Sequence, residues 1–173
     1  MMSKISNVML TNQNVPGNTM GLKLKLDDII KGIEFQSDFN SSYLNKLTGK
    51  IFYISDEEFS YAEVEEELTD IPDWQKENIE IAKQILSTDD YISLPDKFDI
   101  EEYRLMEKFC LSQLDESIRE DIYYSIKGSG AFRRFKEKIY EYKLADDWYK
   151  YRDTVVKDIA KYWCEENNIE YFE

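Results

Sequence analysis

Histidine is missing altogether from the 173 residues. Catalytic triads built on a histidine base are therefore excluded, and so are zinc and iron sites that need imidazole ligands. Cysteine is scarce: Cys110 and Cys164 are the only two, and no CxxC spacing joins them to a redox or metal motif, so buried free thiols are expected. With six glycines and three prolines, the chain contains neither a GxxxxGK[ST] phosphate loop nor a GxGxxG dinucleotide fingerprint. No apolar run approaches the roughly 18 residues of a membrane helix. Met1 to Asn14 carries Lys4 but no signal-peptide core, which predicts a cytoplasmic protein without a membrane partner. Basic side chains are also in short supply, 22 against 36 acidic ones, for a formal charge of −14. Such a charge keeps a protein soluble and disfavours duplex DNA as a partner.

Aromatic residues are plentiful: thirteen tyrosines, nine phenylalanines and three tryptophans are spread along the chain. A chain of this length and composition can build one core without disulfides or a structural metal. The Asn-, Thr-, Ser- and Gly-rich stretch around Pro16 has no periodicity, so residues 1–21 are expected to be a flexible extension and residues 22–173 one domain.

Hydrophobic spacing then predicts the elements. Leu26, Ile29, Ile30 and Ile33 recur at helical intervals. Ser42 to Asn45 and Lys50 to Ser55 form a hairpin around Leu47, Thr48 and Gly49, with Tyr91 to Leu94 as a possible third strand. Asp56 to Asp73 holds nine carboxylates and no cation, a pattern expected of a solvated face. Asp73 is expected to cap a helix whose stripe is Trp74, Ile79, Ala82, Ile85 and Leu86. Asp99 with Glu102 resembles a capping box ahead of Tyr103, Met106, Phe109 and Cys110. Asp115 caps the helix carrying Ile118, Ile122 and Ile126, Gly128 and Gly130 separate it from one starting at Ala131, and the last helix spans about Asp146 to Glu165. The fold class that follows is α+β: a small antiparallel sheet containing the hairpin, packed against a bundle of five or six helices.

Chemistry-bearing residues concentrate towards the carboxyl-terminal third. Lys127 to Lys157 carries nine basic and five acidic residues, a local +4 in an acidic protein. Gly128-Ser129-Gly130 feeds a helix start, where backbone N–H groups can face an anion. Arg133, Arg134 and Lys136 follow in its first turns, beside an inward stripe of Phe132, Phe135, Ile139 and Tyr142. Arg152 projects into the apolar face formed by Trp148, Tyr151, Val155, Val156, Ile159, Tyr162 and Trp163. A guanidinium there needs a partner. That partner is either an internal carboxylate that orients helices or an anion held jointly with Arg133 or Arg134 between tryptophan and tyrosine walls. The anion-binding candidates are thus Gly128, Gly130, Arg133, Arg134, Lys136 and Arg152. No metal ligand set or cofactor motif is present, and adjacent carboxylates such as Asp146 and Asp147 are too common in this sequence to mark a catalytic pair.

Ser42-Tyr43-Leu44-Asn45 with Thr48-Gly49, Leu94-Pro95, Glu102-Tyr103, Met106-Glu107, Gly128 to Lys136 and Trp148-Tyr149-Lys150-Tyr151-Arg152 together resemble the bacterial uncharacterised protein family 0158. The resemblance spans about Leu26 to Glu170. It implies a bacterial or phage-borne cytoplasmic protein and supplies no catalytic residues. The expected function is a non-catalytic binding or regulatory module that recognises an anionic group or a protein partner. An enzyme acting on a nucleotide or phosphorylated small molecule, and an acidic mimic of nucleic acid, are the alternative classes.

Overall fold

The computed structural model describes residues 22–64 and 71–173. The extension expected over residues 1–21, and Glu65, Glu66, Glu67 and Asp70 of the acidic run, lie outside the described residues.

Strand β1 (Lys23–Lys25) leads directly into helix α1 (Leu26–Phe35), whose first turn carries Asp27 and Asp28 where the helix dipole favours negative charge. Leu26, Ile29 and Ile33 are its buried stripe. Strands β2 (Asn40–Asn45) and β3 (Ile51–Ser55) form the expected antiparallel hairpin, with Tyr43 opposite Phe52 and Leu44 opposite Ile51. The turn is closed by the Asn45 side chain, which accepts from the N–H groups of Leu47 and Thr48, and by Gly49 at φ 70, a backbone angle that L side chains rarely adopt.

Ser55 ends β3 and caps helix α2 (Asp56–Glu63) through a reciprocal box with Glu58, which is buried and also accepts from Asn78. Helix α3 (Asp73–Ser87) follows, then strand β4 (Tyr91–Ser93), which joins the free side of β2 to give the order β3-β2-β4. Successive strand residues point to opposite faces. Leu44, Ile51, Ile92 and Leu94 therefore join the main core with α1, while Tyr43, Phe52, Ile54 and Tyr91 pack with Phe59, Ile81 and Ala82 from α2 and α3. Gly32 lets α1 lie close on the sheet: its carbonyl accepts from the buried Ser42 hydroxyl at 2.7 Å, and a methyl group there would collide with Leu94.

The one-turn helix α4 (Lys97–Ile100) precedes α5 (Glu102–Leu111), α6 (Glu116–Ser125), α7 (Ala131–Glu141) and the long α8 (Ala145–Glu166). Their shared centre is aromatic: Phe109 meets Trp148 at 5.3 Å, Tyr151 at 5.8 Å and Phe135 at 6.2 Å between ring centroids. Strand β5 (Glu170–Phe172) then pairs in parallel with β1, Leu24 opposite Tyr171. The fold is α+β, with a small antiparallel sheet set against helices.

Several local expectations are corrected. Asp73 is the first residue of α3 rather than its cap, and the capping box assigned to Asp99 and Glu102 instead joins Asp96 to Asp99, one turn earlier. Trp74, Leu86, Phe132 and Tyr162, expected inward, are exposed, since no described element packs over the outer ends of their stripes. Within the acidic run, Asp56, Glu57, Glu63 and Asp73 face solvent as expected, but Glu58 does not. Cys110 and Cys164 are free and buried, and burial pushes their thiols up to about 12 and about 11. The thiolate is the reactive form. Native protein at mildly alkaline pH should thus leave an aromatic disulfide reagent unreacted, with colour released only after denaturant is added; prompt reaction of the native protein would contradict this packing.

Candidate functional site

The glycine bend is built as its sequence implies. Gly128 and Gly130 take φ 79 and φ 77, ending α6 and starting α7. The arginines around it do not converge. Arg134 turns back on the preceding helix end, donating from Nε to the Ser125 carbonyl at 2.6 Å, from Nη2 to that of Lys127 at 2.8 Å and from Nη1 to that of Ser129 at 2.5 Å. It thereby satisfies carbonyls at and just beyond the end of α6, where the helical bonding pattern runs out. Arg133 lies in solvent and pairs with Glu137 one turn on, at 3.3 Å.

Arg152 and Lys136 do share a cleft, of about 280 Å³, with Trp148 and Tyr149 among its walls. Arg152 is only 21% exposed and both its assigned bonds go to carboxylates: Nε to Glu102 at 2.8 Å and Nη1 to Glu34 at 2.8 Å. Burial alone would lower the guanidinium pKa, but the two carboxylates more than offset it and hold it above its usual value. Two negative charges against one guanidinium leave the cleft without a net positive field even when Lys136 is counted. Arg152 is the tie between α1, α5 and α8.

A larger concavity lies farther along α8, towards its carboxyl-terminal end. Val155, Ile159 and Trp163 form its apolar floor with Leu94 and Pro95, and the volume is about 570 Å³. Trp163 is fixed by donating Nε1 to the Ser93 carbonyl at 3.1 Å, and Tyr162 stands beside it with its hydroxyl on Glu166 at 2.6 Å. Asp99, Asp158 and Glu166 rim the groove, and no lysine or arginine among the described residues lines it. Aromatic faces next to carboxylates favour a cation with an apolar stem.

Among models of protein families, that of the Uncharacterised protein family (UPF0158) matches residues 19–173. The chain belongs to this family. No curated protein matches it, and no solved structure does. The UPF0158 match takes in the whole described structure, including the Gly128 to Lys136 block and Trp148 to Arg152 on which the resemblance rested. Among the described residues, no helix is long and apolar enough to cross a membrane, and no group of three or more Cys, Asp or Glu is placed to hold a metal ion.

The groove residues were visible in the sequence only as a stripe. Val155, Ile159, Tyr162 and Trp163 carry the same helical spacing whether another element covers them or not. The acidic members, Asp158 and Glu166, are separated by eight positions along α8 and meet Asp99 only in the fold.

Proposed function

We propose that this protein is a non-catalytic binding module that docks a cationic segment of a partner protein, with an apolar anchor, in the groove between α8 and the β4–α4 connection. The observation that carries this reading is the composition of that groove: an apolar, tryptophan-bearing floor rimmed by Asp99, Asp158 and Glu166, with no cation from the described residues among its walls. A lysine or arginine side chain can lay its stem on Trp163 and Ile159 and present its head to the rim, while an apolar neighbour fills the floor. Complementary charge at a rim speeds encounter and fixes orientation. Three of the five N–H donors of Arg134, and the Nε and Nη1 donors of Arg152, are already bonded inside the protein.

The test is fluorescence anisotropy with a short fluorescein-labelled peptide of alternating lysine and leucine, against the same peptide with glutamate in place of lysine. The lysine peptide should bind, and Asp158→Asn with Glu166→Gln should weaken it about tenfold, equivalent to about 1.4 kcal/mol. Neutralising two exposed carboxylates away from the groove, Asp89→Asn with Glu120→Gln, should leave affinity almost unchanged. Equal losses from the two double variants would show that the overall charge of −14 is responsible, and the groove assignment would fall.

A further inference from the structure

One described surface of the chain matches the groove on α8 both in charge and in spacing. Helix α7 is the one described helix with a net positive charge, four cations against two carboxylates, in a chain whose total is −14. Its outer face carries Phe132, Lys136 and Tyr140, four positions apart and so in a single row about 12 Å long. The rings of Phe132 and Tyr140 are 54% and 57% exposed. Phe132 stands between two clefts, of about 280 Å³ and about 610 Å³, and lines both, so the row is a ridge. The other cations of α7 are engaged: Arg133 pairs with Glu137, Lys138 with Asp121 and Glu141, and Arg134 with backbone carbonyls. Lys136 has no ion pair among the described residues. The groove repeats the spacing of the ridge. Val155, Ile159 and Trp163 lie four positions apart along α8, and Asp158 and Glu166 stand eight positions apart beside them.

We infer that the occupant of the groove is the α7 ridge of a second copy of this chain, an inference that rests on the proposed reading of the groove as a site for a cation with an apolar anchor. A row of residues four apart fits between rows of the same spacing when two helices cross at roughly −50°. In that crossing the second copy's Lys136 lays its stem on Ile159 and Trp163 and brings its ammonium to Asp158 and Asp99, while its Phe132 covers the remaining apolar floor. A strongly acidic chain repels its own copies through most of its surface. Here its most cationic helix meets its acidic rim. At physiological salt, repulsion between the net charges is screened beyond about 8 Å, whereas the contacts of Lys136 with the rim are shorter than that. Ridge and groove lie on different helices of one copy, so the contact is heterologous: a dimer keeps one free ridge and one free groove, to which further copies add.

Sedimentation velocity over a wide concentration range tests this. Wild-type protein should pass from monomer to dimer and on to longer species. A ridge variant, Phe132→Ala with Lys136→Ala, and a groove variant, Asp158→Lys with Glu166→Lys, should each associate more than about tenfold more weakly. All four positions are exposed, so neither variant disturbs the core. Mixed in equal amounts, the two should form a one-to-one pair and stop there, since only the ridge of the groove variant and the groove of the ridge variant remain intact. Zero-length carbodiimide cross-linking of mixed isotopically light and heavy wild type needs no variant, and should join Lys136 of one copy to Asp99, Asp158 or Glu166 of another. The peptide of alternating lysine and leucine, measured at a protein concentration where the wild type is monomeric, keeps the two readings apart. Peptide binding that depends on Asp158 and Glu166, in a protein that stays monomeric at every concentration, leaves the groove a cation site and removes the second copy from it. Absence of peptide binding removes the groove reading and this inference with it. A mixture no more associated than its components, or an associated wild type without the Lys136 cross-link between copies, would overturn the α7 ridge as the occupant.

Discussion

Phe109→Ala is expected to lower the unfolding free energy by about 3–5 kcal/mol, the range for deleting a buried aromatic ring from a core that collapses only partly around the gap. Phe109 is almost completely buried and its ring is the common neighbour of Phe135, Trp148 and Tyr151, contributed by α7 and α8. Removing it uncouples α5 from both helices at once, and edge-to-face ring contacts worth about 0.5–1.5 kcal/mol beyond area burial disappear with it. For a chain of this size the loss corresponds to a fall of roughly 6–20 °C in Tm by differential scanning calorimetry. Phe109→Leu, which keeps most of the volume, should recover more than half of the loss. An alanine variant that melts with the wild type would show that these rings are not packed as described.

The second large effect is at Arg152. Arg152→Leu removes the cation between Glu34 and Glu102, leaving two carboxylates facing a vacated position, and should cost about 2 kcal/mol. A fully buried pair would cost more, but the carboxylates are each 42% exposed and water screens part of the loss. The decisive comparison is the triple variant in which Glu34→Gln and Glu102→Gln accompany Arg152→Leu. It should regain most of the stability, because the uncompensated charges go with their partner. Urea midpoints at constant slope measure both. A neutral single variant, or a triple variant as weak as the single one, would remove Arg152 from its role as the tie.

Arg152 also shows how far the residues alone could be followed. An arginine in the middle of an apolar helix face requires a partner, and that requirement was legible. Which partner answered it was not, because Glu34 and Glu102 lie 118 and 50 positions away and the other acidic side chains among the 36 were equally available on paper. Local signals performed in proportion to how completely the neighbourhood decides them. Gly49 in its turn, Asp115 accepting from Ile118 N–H, and Gly130 at the start of α7 are settled within a few residues, and all three are found. Ser55-Asp56-Glu57-Glu58 carried an equally local capping signal, but it was submerged in the acidic run, and α2 went unread with it. The exposure of Trp74 and Phe132 depends on what the rest of the chain leaves uncovered, which no spacing rule records. The β1–β5 pair joins three-residue strands at opposite ends of the described chain, too short to leave an alternating pattern and too distant to be inferred from each other.

That pair gives the molecule a mechanical direction. Because β1 and β5 run parallel, tension applied at residues 22 and 173 pulls the two strands along their length in opposite senses. Their cross-links are then loaded together in shear instead of being unzipped one after another. Force entering through the ends meets this short latch before it reaches α1 or α8, so resistance to stretching is set by a few backbone bonds at the margin, while resistance to heat is set by the aromatic centre.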